Sequence, residues 1–197
     1  FFAGIGGEEA ANHELSLSAH PEGAARALVN LMGDTAVLKA TIICGDNTFS
    51  ERTGEVSEAL RQMLKDLRPD VVVAGPAFGS GRYGLACSHV SQVASKLDIP
   101  TVTGMHPENP GLNMYRSGVL AVRTEETAAD MTRALSAMWK LAYKIGTGEG
   151  RGPAEMDGYI PTRERRPWMR QRPGSQRATN MLMAKLRGEP FETEIPY

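Results

Sequence analysis

The sequence predicts an α/β protein built on a doubly wound, largely parallel sheet, Rossmann-like in its three layers. Two observations carry this: short β-branched runs alternate with longer segments of helical periodicity, and most of the runs end in turns rich in glycine and polar residues. The first helix is expected in HPEGAARALVNLMG, where Pro21 stands near the start, Ala24, Leu28 and Leu31 share a face, and Gly33 closes it. AVLKATIICG then reads as a parallel strand covered on both faces and ending at Gly45. From Gly54 to Leu67, the residues Val56, Leu60, Met63, Leu64 and Leu67 recur at helical spacing until Arg68-Pro69-Asp70 stops them. Val71 to Ala74 predicts a further strand, GLACSHVSQVASKLD a helix with Leu85, His89, Gln92, Val93 and Leu97 on neighbouring turns, and IPTVTGM another strand. GVLAVRT adds one more. EETAADMTRALSAMWKLAYKIGTG is the longest helix, expected to begin at Thr124 and to close on glycines.

Beyond about Gly146 the composition turns to Gly, Pro and Arg without a sustained apolar period. Two parts are therefore expected: an α/β domain over residues 1–148, and, over 149–197, an extended C-terminal arm plus one extra helix from roughly Ser175 to Leu186. The second part would pack on the domain or on a partner subunit. Arg163, Arg165, Arg166, Arg170 and Arg172 have acidic neighbours, which favours a solvated or subunit-contacting arm over a nucleic-acid patch.

Composition narrows the function classes. The 197 residues are 41% hydrophobic and 23% charged, enough for one sizeable core, and the net charge of -1 gives no electrostatic case for nucleic acid or an anionic membrane. No run approaches the roughly 20 apolar residues of a membrane span, and FFAGIGGEEAA lacks the basic start of a signal peptide. A cytoplasmic location is expected. Cys44 and Cys87 are too few for a disulfide framework and have no metal-site spacing, so no metal is expected. Phe1 opens on an apolar run without Met, as if the chain were part of a longer product.

In an open α/β sheet, ligands bind beyond the carboxyl ends of the strands. Four turns fit that place: GIGG, with Gly6 and Gly7; CGDNTF, with Cys44, Asp46, Asn47 and Phe49; GPAFGSGRYG, with Phe78, Arg82 and Tyr83; and GMHPENPG, with His106, Glu108 and Asn109. Together they are expected to outline one pocket. GSGRYG spells a dinucleotide fingerprint, but PTVTGM stands where the acidic residue of a second strand is needed. The alternative is that Gly79 and Gly81 only let the backbone turn into the helix. Arg82 and Tyr83 at the helix start suit a carboxylate. Cys87, one turn in, is either a thiol activated by the helix N-terminus or a small buried hydrophobe. Cys44 faces the same choice. Phe49, Phe78, Tyr83 and Tyr115 offer aromatic faces for a quaternary amine, or ordinary packing.

Taken together, FFAGIGGEE, ATIICGDNTF, VVAGPAFGSGRYGLACS, IPTVTGMHPENPGLNMY and the tail GYIPTRERR with GSQRATNMLMAKLRGEPFETEIPY resemble the N-terminal half of the selenoprotein B subunit of the glycine, sarcosine and betaine reductases, to which a D-proline reductase subunit is related. The resemblance implies the substrate-specific component B of a multisubunit oxidoreductase. Such a component reductively cleaves the C–N bond of a small amino-acid-type substrate: a selenol attacks the α-carbon and the amine leaves. Selenoprotein A and component C are the implied partners, in a homo- or hetero-oligomer. The resemblance places the selenocysteine in the family's C-terminal half, and a pyruvoyl group on a partner polypeptide in glycine reductase. No cofactor is implied within these residues, whose best thiols are Cys87 and Cys44. Two alternatives stand beside it: a noncatalytic ligand-binding or assembly domain of the same fold, and a racemase or isomerase using Cys44 and Cys87 as acid and base across one pocket.

Overall fold

The structure is a computed structural model in which residues 8–163 and 171–191 are described. Contacts divide the chain into two units, 1–164 and 165–197. The first holds β1 (Ser16–Ser18), α1 (Ala24–Met32), β2 (Thr41–Ile43), α2 (Asp46–Glu51), α3 (Thr53–Leu67), β3 (Val72–Phe78), α4 (Gly81–Ser95), β4 (Thr101–Met105), α5 (Pro110–Tyr115), β5 (Leu120–Arg123), α6 (Met131–Gly146) and α7 (Ala154–Asp157). The second holds α8 (Gly174–Arg187).

β3, β4 and β5 form a parallel sheet in that order, with Val73 opposite Val102 and Thr103 opposite Ala121. The α/β architecture is as the alternation predicts. β4, TVTGM, is buried throughout because helices cover both faces. Ala77, Cys87, Met105, Leu112 and Ala121 pack together on one side, joining α4 and α5 to the sheet. Val102, Val122, Leu135, Met138 and Leu141 pack on the other, under α6. α3 buries Val56, Leu60 and Leu64 at intervals of four, and Leu60 and Leu64 meet Val93 and Ala94 of α4.

Three expectations change. The run AVLKATIICG does not give a buried parallel strand: only Thr41–Ile43 is a strand, it is half-buried, and it pairs antiparallel with β1. Upstream of it Val37 is 85% exposed, while Ala36, Leu38 and Ala40 are half-buried. Thr124 does not start the longest helix. Its N–H continues the strand ladder to Met105 O at 3.0 Å, and α6 begins at Met131 after a 3-10 turn over Ala128–Asp130. The glycine-rich stretch after Gly146 is not extended throughout. α7 is tied to α6 by Lys144 Nζ to Asp157 Oδ1 at 2.5 Å, Tyr159 bridges Val122, and Ile160 N donates to Ala121 O at 2.7 Å with its side chain buried. Gly6, Gly7, Arg165, Arg166 and Arg170 lie outside the described residues.

Candidate functional site

Because β3, β4 and β5 are parallel, their carboxyl ends finish along one edge, and hydrogen bonds join the loops that leave them. His106 N donates to Phe78 O at 3.0 Å, Thr124 N to Met105 O at 3.0 Å, and Gly79 N to Glu126 O at 2.9 Å. A Cβ on Gly79 would stand 3.0 Å from Glu126 Cγ and 3.1 Å from its carbonyl oxygen, so any larger residue would have to push Glu126 back by a few tenths of an ångström. A cleft of about 230 Å³ opens here, lined by Gly79, His106, Glu108, Asn109 and Glu126.

Asn109 is the fastening of this edge rather than a reagent in it. Buried at 1% exposure, it donates Nδ2 to Phe78 O at 2.8 Å and to Ser80 O at 3.0 Å, and its Oδ1 accepts from Gly111 N at 2.9 Å as the cap of α5. Phe78 sits at φ 52°, a region a bulky residue seldom adopts, and its carbonyl is fixed by both His106 N and Asn109 Nδ2. Its ring is core. Glu108 is exposed at the rim, its N–H 3.3 Å from His106 Nδ1.

The GSGRYG turn is thereby explained without a phosphate. Gly84 is where α4 meets the Asn109 amide, since a Cβ there would fall 2.0 Å from Asn109 Oδ1. Gly111 in turn lies against the Gly84 carbonyl, 2.3 Å from where its own Cβ would be. The glycines let two helices cross backbone to backbone.

Arg82 is already engaged. Its Nε lies 3.0 Å from Asp46 Oδ2 and its Nη1 donates to Asn47 Oδ1 at 2.7 Å, while Asn47 Nδ2 donates to Asn12 Oδ1 at 3.1 Å. The second and third predicted turns are thus brought together, but as an ion-pair cluster at the start of α4. Tyr115 packs on the core and edges His89 at 6.3 Å, and Phe49 meets the same imidazole at 5.3 Å.

Neither cysteine has the surroundings of a nucleophile. Cys87 is 3% exposed between α4 and the sheet, and burial pushes its thiol up to about 12, although Tyr83 and Thr103 beside the sulfur pull the other way. Tyr83 is itself raised, by burial and then by Cys87. Cys44 is half-buried, donates to Gly45 O at 3.4 Å, and is raised by burial and then by Glu14. Among the described residues, no three His, Cys, Asp or Glu side chains are grouped to hold a metal ion, and no helix is long and apolar enough to cross a membrane.

Two polar features escaped the sequence reading. Glu126 lines the cleft three residues after β5, a place the strand-end rule would have found had the following helix not been expected to start at Thr124. His89 Nε2 lies 2.7 Å from Ser57 Oγ, and Ser57 also donates to Thr53 O. With that carbonyl taking the hydroxyl proton, the imidazole is the donor to Ser57.

The family model "Glycine/sarcosine/betaine reductase selenoprotein B (GRDB)" matches residues 1–197. The chain belongs to this family. It is 43% identical over 197 residues to the "Sarcosine reductase complex component B subunit beta" of Peptoclostridium acidaminophilum and 42% to that organism's "Glycine reductase complex component B subunit gamma". It is also 39% identical over 199 residues to its "Betaine reductase complex component B subunit beta". Each alignment covers 100% of this chain and 45% of the relative, so the chain spans just under half the length of these curated relatives. No solved structure matches it.

Proposed function

We propose that this chain is the α/β part of a component B polypeptide that holds a small amino-acid-type substrate, namely glycine, sarcosine or betaine, for reductive cleavage of its C–N bond. The observation that carries the reading is the polar cleft at the carboxyl edge of the sheet, in a chain matched to the selenoprotein B family from end to end. Glu108 and Glu126 supply carboxylates that attract the positive nitrogen of all three substrates, through N–H donors in glycine and sarcosine and by charge alone in betaine, which has no N–H. Arg82, paired with Asp46 and Asn47, sets the start of α4 and is not given the role of carboxylate clamp.

A selenocysteine, which the resemblance places in the family's C-terminal half, would supply the nucleophile, and the pyruvoyl group of glycine reductase would lie on a partner polypeptide; neither chemistry is assigned to these residues. The thiols present do not fit it, since Cys87 is buried with its proton held to about pH 12 and Cys44 is also raised. This supports a binding and positioning role, with selenoprotein A and component C as partners of the whole component. The same burial argues against the two-cysteine racemase, which needs both sulfurs at a substrate carbon.

The test is turnover of the three substrates by the native protein together with the remaining reductase components, with wild type compared to Glu108→Gln combined with Glu126→Gln. A rise in KM of about tenfold or more with kcat nearly unchanged is expected from lost ground-state binding. An unchanged KM rejects the cleft, and no turnover of any of the three rejects the function.

A further inference from the structure

Helix α8, in the second unit, presents an apolar face that the function above does not use. Successive helical residues turn by about 100°, which places Leu182, Met183 and Leu186 on one side. They are 56%, 41% and 72% exposed. The opposite side, Arg177, Met181 and Ala184, is half-buried. α8 thus carries its large apolar side chains on an exposed face. The charges of α8 have one sign: Arg177, Lys185 and Arg187, with no Asp or Glu. Lys185 and Arg187 stand about 100° to either side of the middle of the apolar face. Arg187 Nη1 reaches Glu189 Oε1 only at 4.0 Å.

We propose that the Leu182, Met183 and Leu186 face of α8 is a docking surface for a different subunit of the reductase complex, which meets it with an apolar groove edged by carboxylates. Charge complementarity selects this occupant. In a pair of identical α8 faces the basic flanks of both copies would crowd the same seam, which costs affinity. An anionic bilayer would accept the charge, but α8 lacks the Trp or Phe that commonly anchors such helices, and the chain as a whole carries -1. That the partner is a reductase subunit rests on the proposed function; the chemistry required of its groove does not.

The experiment uses the intact complex purified with Leu186→p-benzoylphenylalanine, irradiated and mapped by mass spectrometry. The expected adduct is on a different subunit, in an apolar segment with Asp or Glu close by. Lys185→Glu with Arg187→Glu should weaken subunit association about tenfold or more at low salt, with the effect shrinking as salt is raised. Leu186→Ala keeps helix propensity, so weakened association at unchanged helix content reports the apolar contact alone. An adduct on a second copy of this chain, or elsewhere in the same polypeptide, overturns the proposal, as does association with phosphatidylglycerol vesicles through this face. So does no adduct with subunit association unchanged in all variants. A cross-link to the other subunit in a complex that turns over none of the three substrates would uphold the face while rejecting the functional reading.

Discussion

Replacing Asn109 separates a fastening from a reagent. In Asn109→Ala, Phe78 O keeps His106 N and Ser80 O keeps Gly84 N, so each loses one of two partners, worth about 0.5–1.5 kcal/mol apiece. Gly111 N, buried at the start of α5, loses the side-chain acceptor that caps it, at about 1–3 kcal/mol. The expected destabilisation is about 2–6 kcal/mol, a large part of the ~5–15 kcal/mol that holds a domain of this kind. Asn109→Asp sharpens the test. Its carboxylate keeps the cap to Gly111 N but aims an anionic oxygen at the Phe78 and Ser80 carbonyls, which raises its folded pKa above the unfolded value of about 3.9. The stability of the Asp variant relative to wild type is then best below the unfolded pKa and is lost as pH rises through the folded one. Urea unfolding of wild type and both variants from pH 4 to 8 measures this. An Ala variant within about 0.5 kcal/mol of wild type, or an Asp variant whose deficit shrinks as pH rises, would refute the reasoning.

Gly84→Ala should cost about 1–3 kcal/mol or more, since the new methyl meets a buried, triply bonded amide rather than a flexible end; thermal unfolding reads it. Cys87 should resist iodoacetamide in the folded protein at pH 8 and react once it is unfolded, and rapid native labelling would contradict its burial. His89 has its pKa lowered by burial and then by Lys96, so the fold holds it neutral. Its contribution is complete above the unfolded value of about 6.5 and is lost as pH falls from there to the folded pKa. His89→Gln should flatten the stability profile between pH 7 and 5, as followed by urea midpoints.

Periodicity was enough for α3, whose buried Val56, Leu60 and Leu64 are the residues that its spacing selects. The apolar run was also enough to mark β4 as a strand, which helices on both faces bury throughout. The same reading failed at Ala36–Gly45, because an apolar run does not state its partner, and the polar Ser16-Leu17-Ser18 is not visible as one. Around the cleft, turn chemistry located Glu108 and Asn109. It could not tell that Asn109 points inward to three backbone groups, nor that Arg82 is taken by Asp46, because side-chain direction depends on a crossing between α4 and α5 fixed only in three dimensions. Cys87 shows the same limit: a helix start favours a thiolate, and burial, which sequence does not print, outweighs it.

The close crossing at Gly84 and Gly111 bears on the cleft through Asn109, which packs against Gly84 and lines the cleft. The cleft's floor at Gly79 and Asn109 is tied by main-chain hydrogen bonds, Gly79 N to Glu126 O and Asn109 N to His106 O. Its rim is the opposite, because Glu108 and Glu126 reach out from exposed positions and can be exchanged without touching the floor. In a scaffold so divided, what stands at the rim can change while the strand ends beneath keep their register.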